Sequence, residues 1–325
     1  MTRQVRVEVA VLLASYNGER YVEQQLRSLT NNDTQFTLHW LDDHSTDNTR
    51  EIVRSVARSA GISLREWHQS RHSGVPRAFF EILERVEADV YLFCDQDDIW
   101  QTGKIDATVE NLLPDLSSPV ICFTDPLIFR EEQPGSCFRL LDIYDVRVEA
   151  AIQESRIFMP VVANGNTVGF TRPLRDLYFR HKDIARAHAY MHDVWMYNIG
   201  VASGTARFMP HAPTALYRWH RNNMSSAFGD LGVDGTPRIT ITWQQHQLLR
   251  RTFARHAEGF ILASATLPQS AKLNRLLEVA RLVAGIQARQ SPSALIKLVH
   301  RRAMWPNNRL AFGLAAACLC SDATQ

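Results

Sequence analysis

The chain has 325 residues, of which 45% are hydrophobic and 22% charged, with a formal net charge of +2. That length is enough to bury a core, in one large domain or two smaller ones at about 100–200 residues each, and the small net charge excludes a chain-wide nucleic-acid surface. Five cysteines (Cys94, Cys122, Cys137, Cys318 and Cys320) with no CxxC pair exclude a disulfide framework and a zinc site.

Residues 7–14 are apolar and β-branched, which predicts a buried first strand. The apolar stretch is too short for a signal-peptide core and runs into Asn17-Gly18-Glu19-Arg20 instead of a small-residue cleavage site. Residues 19–29 carry Tyr21, Val22, Leu26 and Leu29 at helical spacing, and residues 36–41 read as a second strand. A helix over 47–60 follows, opened by the cap-like Ser45 and Thr46 and closed by Gly61. A strand at 62–67 and a helix at 76–86 come next, the helix with Phe79, Phe80, Leu83 and Val86 on one face. Strands at 90–94 and 120–124 complete the front of the chain. Such strand–helix alternation predicts an α/β fold with a mostly parallel sheet between helices.

Beyond residue 130 the pattern loosens. Residues 161–170 read as a loop feeding a strand, 191–201 as a helix and 215–219 as a strand. Three glycines and a proline in 222–238 mark a boundary, which divides the chain into 1–225 and a mainly helical 226–325, helical above all over 241–286. The second part is basic: residues 241–310 hold 11 Lys and Arg against 2 Asp and Glu, a local +9 that leaves −7 elsewhere. No run reaches the roughly 18 apolar residues of a membrane-spanning helix, so a cytoplasmic protein is expected. Trp305 among Arg301, Arg302 and Arg309 suits peripheral contact with the anionic inner face of the plasma membrane, or a solvated helical face.

In a parallel sheet, ligands bind beyond the carboxyl ends of the strands. Those ends are polar here. The first strand ends in Ser15-Tyr16-Asn17, the second in Asp42-Asp43-His44-Ser45, the fourth in Asp95-Gln96-Asp97-Asp98. On an extended segment, residues two apart point the same way, so Asp95 and Asp97 can bind one hard divalent cation. Taken alone, the three acids also suit a solvated turn with Asp98 as a helix cap. Their position after the buried run 90–94 favours a site.

Ala14-Ser15-Tyr16-Asn17, Asp42 to Asp47, and Phe93 to Trp100 resemble, in order, the motifs of family 2 glycosyltransferases. The segment 94–100 with the following Lys104 resembles the bacterial rhamnosyltransferase-like branch. The resemblance implies a GT-A fold, a Rossmann-like mixed sheet flanked by helices, with a helical C-terminal extension. It further implies that Ser15 and Tyr16 line the nucleotide pocket, that Asp43 (with Asp42 as the alternative) contacts base or ribose, and that Arg77 faces the nucleotide. Asp95, with Gln96 beside it, would face the sugar or ribose. Asp97, with Asp95, would hold Mg²⁺ or Mn²⁺. Asp193 in His192-Asp193-Val194-Trp195 matches the family's catalytic base, with His192 as the alternative and a helix cap as the plain reading. Tyr217-Arg218-Trp219-His220 matches a segment in which His220 meets the metal or the departing diphosphate and Arg218 or Arg221 neutralises it. Asn164 to Phe170 matches the acceptor side of the cleft, with Gly165 for close backbone approach.

The implied activity is inverting, non-processive, metal-dependent sugar transfer from a nucleoside diphosphate sugar. The donor expected is dTDP-L-rhamnose, with UDP-hexoses second. The acceptor expected is a growing surface glycan such as O-antigen or exopolysaccharide, free or lipid-linked. Two departures stand out: the Gln-x-x-Arg-Trp signature of processive synthases is absent, and His44 occupies a position that is usually glycine. Two other classes compete, a DxD phosphatase and a non-catalytic sugar-nucleotide-binding module. The phosphatase needs its nucleophilic Asp on the first strand, which ends instead in Ser15-Tyr16-Asn17.

Overall fold

The computed structural model describes residues 7–69, 71–131, 137–143, 147–153, 162–220, 223, 230–231, 237–238 and 243–285. Arg221 and the basic tail with Arg301, Arg302, Trp305 and Arg309 lie outside the described residues.

The elements in chain order are β1 (Val9–Ser15), α1 (Val22–Leu29), β2 (Thr37–Asp42), α2 (Thr49–Ser59), β3 (Ser63–Trp67), α3 (Arg77–Arg85), β4 (Val90–Cys94), β5 (Ile99–Trp100) and α4 (Lys104–Leu112). Then come β6 (Val120–Phe123), β7 (Leu127–Phe129), β8 (Cys137–Arg139), α5 (Leu140–Ile143), α6 (Val148–Gln153), β9 (Gly169–Thr171), α7 (Arg172–Phe179), α8 (Lys182–His188) and α9 (His192–Ser203). Strands β10 (Thr205–Phe208) and β11 (Ala215–Arg218) precede the helices α10 (Trp243–Ala263) and α11 (Ala271–Gly285).

A seven-stranded sheet has the order β10-β6-β9-β4-β1-β2-β3. β9 runs antiparallel to both β4 and β6, and the remaining pairings are parallel. The sheet is therefore mixed, the architecture that the motif resemblance implies. A second sheet of four short strands, β5-β11-β7-β8, starts immediately after Asp98.

Strand β1 explains the layering. Side chains alternate across a strand. Val9, Val11 and Leu13 face a core with Trp40, Leu92, Leu26 and Ile105, while Ala10 and Leu12 face another with Phe79, Phe93, Phe170 and Trp195. Burial on both faces is why β1 and β4 read as unbroken apolar runs. Helices α10 and α11 pack on each other and on α8 and α9, and Ala257, Phe260, Leu276 and Ala280 share the core of the second face. No helix among the described residues is long and apolar enough to cross a membrane.

The start of α2 differs from expectation. Asn17 N–H donates to the Ser45 hydroxyl at 2.9 Å, and Thr46 N–H donates to Asn17 Oδ1 at 2.8 Å, so this pair ties the β1–α1 turn to the β2–α2 turn. Asp47 serves the helix end instead, its Oδ1 accepting from Thr49 N–H at 3.0 Å. The close is as expected, with Gly61 left-handed at φ 68°.

Candidate functional site

The carboxyl ends of β2, β1 and β4 lie side by side, with Ser15 paired in register to Asp42 and Leu13 to Cys94. The polar segments that follow these strands therefore share one rim.

Asp42 is buried and pinned in place. Its Oδ2 accepts from Arg50 Nε at 2.6 Å and from Ser45 N–H at 3.1 Å, and its Oδ1 lies 3.4 Å from the Ser15 hydroxyl. That hydroxyl also accepts from Trp40 Nε1 at 2.8 Å. Ser15 and Asp42 thus brace the strand ends from beneath. Asp43 is also buried, and Gln69 and residues 71–74 gather around it. Ser73 N–H donates to its Oδ1 at 2.8 Å and Gly74 N–H to its Oδ2 at 2.7 Å, with Gln69 Nε2 a further donor and His72 Nδ1 3.0 Å from Oδ2. With both oxygens engaged, Asp43 organises these residues. No local pattern in the sequence marks the Ser73 and Gly74 amides as partners of Asp43.

His44 takes the left-handed conformation at φ 69°, the geometry that glycine supplies at no steric cost. Its Nε2 meets Gln69 O at 3.0 Å. The substitution keeps the turn, at a strain of about 1–2 kcal/mol partly offset by that bond. His44→Gly is expected to leave stability within about 1 kcal/mol of wild type, since strain and bond are lost together. His44→Val loses the bond and adds a β-branch at positive φ, and should cost about 2 kcal/mol. Calorimetric Tm values for the two variants check the order.

Tyr16 stays out of the core at 44% exposed, its ring 4.3 Å from His72. Gln96 fixes the backbone beneath it: Tyr16 N–H donates to Gln96 Oε1 at 3.0 Å, and Gln96 Nε2 donates to Tyr16 O at 3.1 Å. The Gln96 amide therefore splints β1 to the Asp95–Asp98 segment. Arg77 is exposed as the first residue of α3 and has no ion-pair partner among the described residues.

The acids after β4 divide in two. Asp98 is fully buried, accepting from Asn166 Nδ2 and from Arg218 N–H at 3.0 Å, and anchors the segment to β11 and to the 164–167 turn. Asp97 is more accessible, and its Oδ2 lies 2.9 Å from His220 Nε2, a residue that also stacks on Tyr21. Burial, then the negative charges of Asp97 and Asp193, push the Asp95 carboxyl well above the usual carboxylate range. The 164–167 turn joins the fourth strand's end to the start of α9, since Asn166 Nδ2 donates to Asp98 while Gly165 N–H donates to Asp193 Oδ2.

Asp193 sits in the first turn of α9, 5% exposed. Its Oδ1 accepts from Val194 N–H at 2.7 Å and its Oδ2 from Gly165 N–H at 2.8 Å. Burial raises its pKa to about 6 against the opposing effect of these donors. Gly165 is needed for this approach, because a Cβ there would lie 3.3 Å from Asp193 Oδ2 and 3.1 Å from His192 Nε2. His192 is a poor base. It is sandwiched 3.9 Å from the Phe79 ring and edge-on to Phe93, without a hydrogen-bond partner among the described residues, and burial lowers its pKa to about 3.

Arg218 is not free to meet a diphosphate. Only 2% exposed, it donates through Nε to Asp97 O at 2.8 Å and through Nη2 to Gln24 Oε1 at 2.6 Å, pairs with Glu131, and lies over the Tyr21 and Phe129 rings. It holds the Asp97 backbone. Lys104 is also buried, with Nζ 3.7 Å from the Trp100 ring centroid, and burial lowers its pKa to about 8.

Among the described residues, no three His, Cys, Asp or Glu side chains close into a metal-binding cluster. The donor chemistry nevertheless suits a divalent cation. Asp97 Oδ2 and His220 Nε2, an oxygen and a nitrogen ligand, lie 2.9 Å apart, and Asp95 adds a second carboxylate whose repulsion with Asp97 a cation would relieve.

Residues 10–125 match the model of glycosyl transferase family 2. The dTDP-rhamnosyl transferase RfbG of Shigella flexneri is 26% identical over 226 residues, 66% of this chain and 74% of that protein. The putative teichuronic acid biosynthesis glycosyltransferase TuaG of Bacillus subtilis is 29% identical over 109 residues, 32% of this chain and 42% of that protein. Among solved structures, the mannosyltransferase PcManGT from Pyrobaculum calidifontis, in complex with GDP-Man and Mn2+, aligns over 98% of this chain and 87% of its own with a TM-score of 0.55 at 16% identity. That likeness is one of fold, and the fold is GT-A.

Proposed function

We propose, on the premise that the chain carries a family 2 glycosyl transferase domain over residues 10–125, that it moves one sugar with inversion from a nucleoside diphosphate sugar to an acceptor hydroxyl. The carrying observation is the meeting of the acids after β4 with a buried helix-start carboxylate, both held by one turn: Asn166 Nδ2 donates to Asp98 and Gly165 N–H to Asp193 Oδ2. A phosphatase or a passive binding module has no use for that last acid.

The acceptor oxygen attacks the anomeric carbon, the bond from that carbon to the diphosphate oxygen breaks, and the diphosphate leaves with the electron pair. Asp193 takes the acceptor's proton, a role for which a base near pKa 6 is suited at neutral pH. Tyr16 and the Asp43-bound residues 71–74 bound the nucleotide side, and the exposed Arg77 guanidinium supplies positive charge there. Asp97, Asp95 and His220 would hold Mg²⁺ or Mn²⁺, which when bound offsets negative charge on the leaving diphosphate. Without the processive signature, transfer is single.

The donor we favour is dTDP-L-rhamnose. Similarity to the Shigella rhamnosyl transferase over 66% of the chain supports that choice. The acceptor is a growing surface glycan, in keeping with the polysaccharide role in the name of the Bacillus relative. A thermal-shift screen of dTDP-, UDP- and GDP-sugars with and without Mn²⁺ tests the donor. At one hundred times Kd, a ligand adds about 2.7 kcal/mol to folding stability. A Mn²⁺-dependent rise with dTDP-L-rhamnose above the others is the expected result. A larger rise with a UDP-hexose would replace the donor, and no response to any nucleoside diphosphate would remove the proposal.

A further inference from the structure

The start of α9 is held from outside the 10–125 domain. Helix α10 passes so close to the end of α8 that a Cβ on Gly259 would lie 2.2 Å from His188 Cβ and 3.4 Å from the Trp195 ring. One turn earlier on α10, His256 is 1% exposed. Its Nδ1 accepts from Tyr190 N–H at 2.9 Å, and its Nε2 lies 3.1 Å from the Asn198 amide. Trp195 packs edge-on against its ring at 5.2 Å.

These contacts fix the protonation pattern. A neutral imidazole that accepts at Nδ1 carries its hydrogen on Nε2. That hydrogen needs an acceptor, and Asn198 Oδ1 is otherwise without a hydrogen-bond partner among the described residues. Turning the Asn198 amide by 180° puts Oδ1 at the contact, where it accepts from Nε2–H. The ring then accepts from residue 190 and donates to residue 198, and so grips α9 on both sides of Asp193. The Tyr190 amide precedes the helix, where backbone N–H groups lack helical partners.

We propose that His256 is a positioning residue for Asp193, so that the C-terminal helix α10 belongs to the catalytic unit. The inference rests on the reading of Asp193 as the base. The contacts of His256 given above are with Tyr190, Trp195 and Asn198, none of them assigned to the donor, so its loss should act on turnover and leave donor affinity alone. A displacement of the base by about 1 Å costs on the order of 10²-fold in rate.

Two variants keep a polar side chain and split the two bonds. In His256→Asn the carbonyl oxygen occupies the place of Nδ1 and still accepts from Tyr190. In His256→Gln the amide reaches toward Asn198 and the Tyr190 bond is lost. The expected result is near-wild-type kcat for H256N, a 10- to 100-fold lower kcat for H256Q, and an unchanged KM for the donor in both. Hydrogen–deuterium exchange should show the 188–194 segment exchanging faster in H256Q than in H256N, with β1 and β4 equally protected. Equal kcat in the two variants, or a loss carried by KM, would overturn the positioning role. Exchange reads the grip on residue 190 without reference to activity. If wild type transfers no sugar, the base assignment falls, whereas equal 188–194 exchange in both variants removes the grip itself.

Discussion

Asp193→Asn is expected to lower kcat about 10³-fold, within the 10²–10⁴ range of general-base catalysis, and to leave the protein folded. Asn is isosteric with Asp, and its amide oxygen can still accept from one of the two N–H groups, Val194 or Gly165, that hold the carboxylate. The other then faces an NH₂ group, at a cost of about 1–3 kcal/mol. Burial already disfavours the charged form here, so removing the charge returns part of that cost. The pH dependence gives an independent reading. A base works only when ionised, and burial raises this carboxyl to about 6. Wild-type kcat should therefore be flat above neutrality and fall about tenfold per pH unit as pH drops through 6. The residual activity of D193N should lack that limb. A D193N enzyme with wild-type kcat, or with the same acidic limb, would assign the proton to another group.

Much of this site is legible because its chemistry sits at strand ends, and strand ends are local. The runs 9–15 and 90–94 are apolar on both faces of the sheet, so their polar successors stand out. What stays hidden depends on residues far apart in the chain. Asp43 reads as a strand-end acid, but the amides of Ser73 and Gly74 that its carboxylate accepts from lie about thirty residues further on. Arg218 looks like a diphosphate clamp until Gln24, Asp97 and Glu131 surround it. Strand β9 pairs antiparallel between β4 and β6, and its three residues are too few to carry a period. Strand β5, with two residues, carries no period either. His256 carries no signal at all, since its partners lie 58 and 66 residues away. Charged side chains at an edge are visible one by one, whereas their engagement is a property of the folded chain.

Asp97→Asn carries the other large expected effect, and it separates Asp97 from its buried neighbour Asp98. Asp97 is the more accessible acid, facing His220, whereas Asp98 is sealed beneath it by Asn166 and the Arg218 amide. A neutral amide at residue 97 keeps the backbone that Arg218 grips at 2.8 Å but removes the anionic ligand that a hard cation requires. Transfer should fall about 10²- to 10³-fold, the scale of losing a preorganised electrostatic contact to a developing charge. The Mn²⁺-dependent part of the thermal shift with a nucleoside diphosphate should vanish with it, while any Mn²⁺-independent binding on the Tyr16 side remains. His220→Ala should be milder, about 10- to 100-fold, if the imidazole chiefly orients Asp97 through the 2.9 Å contact, and as severe as D97N if it is itself a ligand. Isothermal titration of Mn²⁺ into wild type, D97N and H220A in the presence of the nucleoside diphosphate measures all three. Undiminished Mn²⁺ binding by D97N would move the cation away from this acid. Full wild-type activity after exhaustive chelation would make Asp97 a direct partner of the donor, and would leave the diphosphate charge to be met by Arg77.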